Sequence, residues 1–475
     1  MDPTITDISD EMNITDALSC FDKSAIKRLL KERIRPNIEH LPSSKGMPIF
    51  GHMYWFATNS RKWLRDQHAQ FGPVFKFRVF NQEVVFLLGP EANRLIFQNE
   101  GKGFSNYLGY GPTIKNLLDD NVLALDFKHH KTTRKTLQAA FKRQAVEGHI
   151  ELMNPMIQTA VAKWPANRTV KSTELIRKLL LDTAAKVFLG LDIGPDADMM
   201  NQAFVDLLAG GASFIRAKWI PFFPYAKALK ARKNMEHFIY RNINNRRNSE
   251  KEGLDIFSQI CNAKDEDGEY FSDEEICNQT IFLLFAAHDT TASALSSTFY
   301  ALASNQEWQE ELRQEILAME KKDLNFEDFD KLTNIGYTLQ ESLRMYPPVP
   351  LFPRYSLSDF ELAGHHIPAN TPVMGSAVFT HYMSEHWTNP YTYDPMRFSP
   401  ERAEYKNDFY QYVPFGGGAH KCLGLHFAQV QGKMFLYNLL KNYKITKNPK
   451  MTKFKHNNFP LTFPTDRLPL KFNKI

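Results

Sequence analysis

The residue of this chain best placed to do chemistry is Cys422, because of its setting: Phe415-Gly416-Gly417-Gly418-Ala419-His420-Lys421-Cys422-Leu423-Gly424. A cysteine alone is usually a small, inert, apolar residue. Here Gly416 to Gly418 let the backbone take positive φ and turn sharply beneath a large flat group. Gly424 lets the chain pass close to that group, and a helix-like apolar run (Leu425, Phe427, Ala428, Val430) follows at once. A thiolate just ahead of a helix N-terminus sits at the positive end of the macrodipole, where backbone N–H groups can aim at its sulfur. Such donors temper the electron push of sulfur on iron, and Phe415 can shield it from water. His420 can reach an anionic edge of the ligand. From its residues, the loop reads as one that holds the iron of a haem through a single thiolate.

Two further patterns carry chemistry. Ile281 to Ser293 is an apolar helical stretch with Asp289 and Thr290 in its middle. Such residues on a helix commonly bond back to a carbonyl or face solvent, but an unpaired carboxylate in an apolar setting is expensive and needs a reason. Glu341 and Arg344 lie three apart, on one helical face where they can pair, and Pro347-Pro348-Val349-Pro350 ends that helix.

In this order the motifs resemble the cytochrome P-450 family. Phe415, Gly418, His420, Cys422 and Gly424 fall on the fixed positions of its haem-binding signature, and Ala428 on its small residue four further on. Pro395-Met396-Arg397-Phe398 resembles its Pro-x-Arg-Phe segment, which implies a structural Glu341–Arg344–Arg397 cluster, with Arg402 in reserve. Ala286-Ala287-His288-Asp289-Thr290 resembles the motif that crosses the distal haem face, with Ala287 in place of the usual Gly. The resemblance implies that Ala286 and Ala287 lie against the porphyrin, that Thr290 donates a hydrogen bond to dioxygen, and that Asp289 relays protons. His130-Lys131-Thr132-Thr133-Arg134 resembles the Trp-x-x-x-Arg segment; His130, Arg134 and Arg354 are thereby expected at the haem propionates, which the arginine fork suits. Gly416 belongs to the same cofactor loop. The likeness covers the chain after residue 40 and implies a mainly α fold with a smaller β region (α+β), a triangular helical bundle around a buried haem.

The elements that must position these residues can be read coarsely. Val74 to Leu88 carries two strand-like runs broken at Asn81-Gln82, residues 110–345 read mostly as helix, and 349–380 returns to strands with Pro and Gly turns. Leu41 to Pro48 looks like a proline-rich hinge. Phe occurs 37 times and hydrophobic residues make up 43%, enough for a deep core and an apolar cavity. The motifs belong to one site, so residues 41–475 are expected to form a single haem-thiolate monooxygenase domain behind an N-terminal extension, 1–40, that is disordered or peripheral on a membrane.

Cys20, Cys261, Cys277 and Cys422 are far apart, which argues against zinc and disulfides and for a reducing, cytoplasmic compartment. The sequons at Asn13, Asn167 and Asn278 then carry no weight. No Gly-x-x-x-x-Gly-Lys occurs, and Lys421 breaks a dinucleotide fingerprint. The net charge of +5 is too mild to imply nucleic acid. No apolar run approaches a membrane span, and no signal peptide stands at the start. Ala25 to Ile34 and Arg216 to Tyr225 are basic and apolar and could rest on an anionic membrane surface. Lys135, Lys142, Arg143 and Lys421 could greet an acidic redox partner.

The expected activity is that of a monomeric haem-thiolate monooxygenase (an EC 1.14-type oxidoreductase) that inserts one atom of O2 into a lipophilic sterol, retinoid or fatty acid. It would use haem b, with electrons from NAD(P)H through a separate ferredoxin, flavodoxin or flavoprotein reductase, since too little chain follows Gly424 for a flavin domain. His420 and the stretch from Ala226 to Arg232 resemble the sterol 14α-demethylase and retinoic-acid hydroxylase branches; Asp289, where sterol demethylases carry His, counts against the former. Family position suggests Tyr107, Phe214, Phe282, Phe285, Val349, Phe352 and Leu461 as pocket walls. Two alternatives stay open: a peroxide-dependent hydroxylase or haem-thiolate isomerase/dehydratase, and a non-catalytic haem sensor.

Overall fold

The computed structural model describes residues 13–32, 36–80, 82–98, 102–114, 117–118, 120–192, 194–211, 213, 218–249, 253–321, 324–451, 453–458 and 460–475. Helices α1 (Ile14–Ser19) and α2 (Lys23–Glu32) come first. The Asn13 side chain caps α1 by accepting from the backbone N–H groups of Thr15 and Asp16. Helix α2 is the basic amphipathic stretch, and its apolar side faces inward. Ala25 and Ile26 pack with Ala17, Leu18 and Tyr107 in a satellite core, so these two residues are buried against the protein, whereas Leu30 of the same helix, and Trp219 and Phe222 of the second basic and apolar patch, are exposed.

The chain continues through α3 (Met53–Phe71), the hairpin β1 (Val74–Val79) and β2 (Gln82–Leu87), α4 (Pro90–Gln98), β3 (Phe104–Ser105), α5 (Asn106–Ile114), α6 (Phe127–Leu137) and α7 (Arg143–Ala162). A short β4 (Thr169–Lys171) leads into α8 (Ser172–Leu189), α9 (Pro195–Gly211), α10 (Pro224–Arg247), α11 (Ile256–Asn262), α12 (Asp273–Ser304), α13 (Gln306–Ala318), α14 (Phe326–Lys331) and α15 (Thr333–Met345). Then come β5 (Leu351–Ser356), the hairpin β6 (Phe360–Leu362) and β7 (His365–Ile367), β8 (Pro372–Ser376) and the single turn α16 (Ala377–Thr380). After a largely irregular segment the chain ends with α17 (Leu425–Asn442), β9 (Tyr443–Lys447), β10 (His456–Asn458), β11 (Thr462–Pro464) and β12 (Pro469–Lys474).

The main sheet has the order β1-β2-β8-β5-β3. Only β2 and β8 run parallel, with Val85 opposite Val373. The two-residue period of β5 sends Leu351 and Phe352 to opposite faces: Leu351 joins a core with Phe75 and Phe86, Phe352 one with Phe97 and Phe104. A second sheet, β4-β12-β9, ties the C-terminus to residue 170.

Helix α12 is the axis of the molecule. Its 32 residues span about 48 Å at 1.5 Å each, and its first turn is fixed by sequence. Ser272 and Glu275 form a reciprocal capping box, and Asp273 to Glu275 place negative charge at the positive helix end. Most of the helix is buried, yet Ala286, Thr290 and Ala294, four residues apart on one face, keep accessible surface.

Candidate haem-thiolate site

The loop before α17 folds as its glycines require. Gly416 and Gly418 have φ of +68° and +62°, where a side chain is strained, whereas Gly417 is extended and a Cβ there would lie 2.8 Å from the Phe97 ring. The Cys422 N–H closes the turn on the Phe415 carbonyl at 2.9 Å, and the Arg134 guanidinium holds the Lys421 carbonyl at 2.5 Å. Gly424 is different: nothing in the protein would crowd a Cβ there, its nearest neighbour being Phe141 at 3.8 Å. The room it leaves belongs to something else.

Cys422 faces the same way. Its side chain has accessible surface, yet desolvation pushes its thiol pKa up, against the Gly424 N–H and the charges of Arg134 and Lys421, which lower it. Accessible surface on a desolvated group means an internal cavity rather than bulk water. Among the described residues no three of His, Cys, Asp and Glu gather as a metal-binding group, so Cys422 offers one soft ligand and a metal bound there must bring the rest of its plane. A haem fits these residues: one thiolate, a glycine gap beside it, and cations around the loop. Binding of the metal would also supply the drive for deprotonation that burial opposes.

His130 and His420 stack with ring centroids 3.6 Å apart, and His420 Nε2 lies 2.9 Å from the Leu125 carbonyl oxygen. Together with Arg134 they crowd one side of the Cys422 loop. Arg354 is buried on β5, its guanidinium donating to the Pro353 carbonyl at 2.8 Å and lying over the Tyr110 ring of α5. Asp126 is a site residue that no motif marks. Instead of capping its own helix, its carboxylate accepts from the Ser105 hydroxyl and from the Asn106 N–H at 2.8 Å, fixing the start of α5; burial holds its pKa up.

The structural cluster is complete. Glu341, Arg344 and Arg397 are each 0% exposed. Arg344 grips Glu341 with two bonds of 2.7 and 2.8 Å, and Arg397 donates to the same carboxylate at 3.2 Å. The reserve candidate Arg402 is not in contact with Glu341; it pairs with Asp394 at 2.6 Å and with Glu404. Glu404 is the member that spacing could not reveal: it takes Arg397 Nη1 at 2.7 Å, so two buried guanidiniums meet two carboxylates.

His381, also missed in the sequence, joins this cluster to the Cys422 loop. Its carbonyl accepts from Arg344 Nη1 at 2.7 Å, its Nδ1–H donates to the Arg344 carbonyl at 3.0 Å, and its bare Nε2 accepts the Val413 N–H at 3.0 Å. Burial, and then the Arg344 charge, lower its pKa to about 3 from an ordinary 6.5. The unfolded chain therefore binds a proton between those values that the folded one refuses, so stability is full above pH 6.5 and falls as pH drops toward 3. His149 and His456, lowered to about 4 by burial, act in the same direction. Urea midpoints should fall between pH 7 and pH 5, and His381→Asn should flatten that slope; an unchanged slope would remove His381 from the account.

On α12, Asp289 is paired rather than stranded. Its Oδ1 lies 3.2 Å from Arg177 Nη2 and 3.0 Å from His288 Nδ1, and Arg177 is held over the Phe463 ring. Thr290 departs from expectation: its hydroxyl donates to the Ala286 carbonyl at 2.7 Å. With its hydrogen committed to the helix, Thr290 has only lone pairs left to offer, an acceptor where a donor was expected.

The pocket candidates divide. Phe285 is half-buried near Gly211, and Leu461 is half-buried beside Thr462, whose carbonyl accepts from Ser293 on α12. Phe282 lies in the main core. Phe352 is filler between Phe97 and Gly375, where a Cβ would lie 1.9 Å from its ring. Tyr107 meets Phe21 edge-on at 5.5 Å and seats the N-terminal helices. Val349 is 36% exposed, and Phe214 lies outside the described residues. Of the basic residues expected to greet a partner, Lys135 is paired with Glu266, and Arg143 with Glu147 and Glu327. Among the described residues no helix is long and apolar enough to cross a membrane.

Comparison with known proteins agrees with this geometry. Residues 41–472 match the family model described as Cytochrome P450. The chain is 32% identical over 443 residues to cytochrome P450 136 of Mycobacterium tuberculosis, covering 91% of this chain and 88% of that one. It is 28% identical over 468 residues to cytochrome P450 26A1 of Danio rerio, covering 94% and 93%. A structure titled as retinoic acid-bound cyanobacterial CYP120A1 superposes with a TM-score of 0.83 at 27% identity, covering 92% of this chain and 99% of that one.

Proposed function

Because this chain belongs to the cytochrome P450 family and is a haem-iron monooxygenase using O2 and a redox partner's electrons, we propose that it hydroxylates a bulky lipophilic acid of the retinoid class. The cofactor is haem b and Cys422 its protein ligand. Electrons come from NAD(P)H through a separate ferredoxin, flavodoxin or flavoprotein reductase, and residues 41–475 act as one domain. One observation carries the reading: a desolvated thiol with accessible surface, beside a glycine gap that no protein atom needs. Retinoic acid in the CYP120A1 structure favours a retinoid over a sterol or fatty acid.

When bound, the haem supplies the one-electron and O2 chemistry. The protein does the rest. Arg134, His130, His420 and Arg354 would bind and orient its carboxylate edge. Ala286 and Ala287, lacking bulk, would let α12 lie close to its face, and Phe415 would keep water from the sulfur. Thr290 Oγ1 accepts a hydrogen bond while its own O–H stays donated to the Ala286 carbonyl, and Asp289 gives up protons toward the cavity.

The test is an optical titration of the purified holoprotein with retinoic acid, a sterol and a fatty acid. A high-spin Soret shift with retinoic acid alone is expected; a shift only with a sterol or a fatty acid would move the substrate class, and none with any would favour a sensor. With the substrate in hand, Thr290→Ala should let NAD(P)H and O2 consumption continue while product falls roughly tenfold and peroxide rises. Unchanged product yield would remove Thr290 from the mechanism.

A further inference from the structure

Helix α12 carries a buried histidine that the reaction above does not use. His288 sits between two oxygens: Nδ1 is 3.0 Å from Asp289 Oδ1 and Nε2 is 3.2 Å from the backbone carbonyl oxygen of Arg177 on α8. A carbonyl oxygen only accepts, and so does an ionised carboxylate. A neutral imidazole has one N–H and can satisfy only one of them. Oδ1 also takes Arg177 Nη2–H at 3.2 Å, the arrangement of an ionised acid. With Asp289 ionised, the hydrogen bonding is therefore complete only when His288 carries a proton on both ring nitrogens. If Asp289 is protonated instead, that same proton lies on Oδ1, facing a bare Nδ1, and Nε2–H stays on the Arg177 carbonyl. The two states differ by one proton crossing one hydrogen bond.

We propose that His288 is a positioning residue that holds the proton for Asp289, and that the two side chains share it between Nδ1 and Oδ1. The shared proton crosses first: the Nδ1–H bond breaks, an Oδ1–H bond forms and the imidazole becomes neutral. Asp289 then gives that one proton to the cavity, the Oδ1–H bond breaks and the carboxylate is ionised again beside a neutral His288. The Arg177 carbonyl keeps the ring in one tautomer throughout, as an acceptor behind a catalytic imidazole does elsewhere. The proton returns from solvent: a small cavity lined by Thr183, Ala287, His288 and Gln431 has room for about one water. The charged groups facing His288 are few. Its own helix offers Asp289 and α8 offers Arg177; α9 presents Phe204 edge-on at 5.1 Å, α17 presents Phe427 and Gln431, and α7 presents Met153.

The inference rests on Asp289 being the acid of the proposed reaction, so its test has two arms. In the ferrous–carbonyl holoenzyme, which is diamagnetic, ring-15N NMR at neutral pH should show both nitrogens of His288 protonated, and only Nε2 protonated in Asp289→Asn, whose amide cannot balance a cation. A neutral His288 in the wild type, or one that stays doubly protonated in Asp289→Asn, overturns the shared proton whatever the turnover shows. In turnover, His288→Gln should lower product formation roughly tenfold and raise its solvent deuterium isotope effect. His288→Asn serves if the Gln variant does not fold. If Asp289→Asn slows product formation and the His288 variants change neither rate nor isotope effect, the role of His288 falls alone. If Asp289→Asn changes nothing, the relay falls together with the reading of Asp289.

Discussion

Glu341→Gln is expected to cost about 3–5 kcal/mol and to leave a protein that does not retain haem. The substitution keeps volume and shape, so the loss reports charge. Glu341 answers both Arg344 and Arg397 in a region with no solvent access, and accepts the Asp394 N–H at 3.0 Å as well. Without its charge, Arg397 keeps Glu404, while Arg344 loses the carboxylate it grips. Arg344 then loosens, and with it the His381 carbonyl and the His381–Val413 bond that leads into the Cys422 loop. The effect is therefore local as well as global: haem retention should fail before the helices melt. Urea unfolding and haem content on one preparation measure both. A Gln variant within about 1 kcal/mol of the parent that keeps its haem would show that the cluster does not hold the loop.

Asp289→Asn should slow product formation about 10²-fold, with little change in stability. Asparagine matches the shape and still accepts from Arg177, so α12 stays in place. What it cannot do is carry an acidic proton. The Asp289–Arg177 pair lies partly in solvent, with Arg177 43% exposed, and such pairs contribute little to folding; the loss is thus expected in turnover rather than in the urea midpoint. Electron consumption should continue and appear as peroxide. Product formation at the parental rate would take proton delivery away from Asp289.

Apart from Arg397, the parts of this site that could be read in the sequence share one property: their partners are close along the chain. Glu341 and Arg344 are three apart on α15, and the glycines, His420 and Cys422 lie on one short loop, so spacing alone puts them together. Arg397 was placed by its proline-and-aromatic setting. Glu404 and His381 were not legible, because nothing local marks a buried carboxylate as the second half of a cluster, or a histidine as the tie between a helix and a loop. Asp289 showed the same limit: its apolar surroundings demanded a partner, but Arg177 lies 112 residues away on another helix. The aromatic residues failed for a different reason. Phe352 and Tyr107 have the right type and approximate position for a pocket, and only the pleat of β5 and the docking of α1 and α2 decide that they fill cores instead. Thr290 lies on α12, but the direction of its hydroxyl depends on the Ala286 carbonyl, which no side-chain pattern encodes.

The central claim is that Cys422 is the single protein ligand of a haem iron. The most direct measurement is the optical spectrum of the reduced, carbon monoxide-bound holoprotein, taken beside that of Cys422→His. A thiolate-ligated carbonyl complex absorbs far to the red of a histidine-ligated one, so the wild type should show the red band and the variant should lose it. A wild-type band at the histidine position, or a red band that survives Cys422→His, would contradict the assignment.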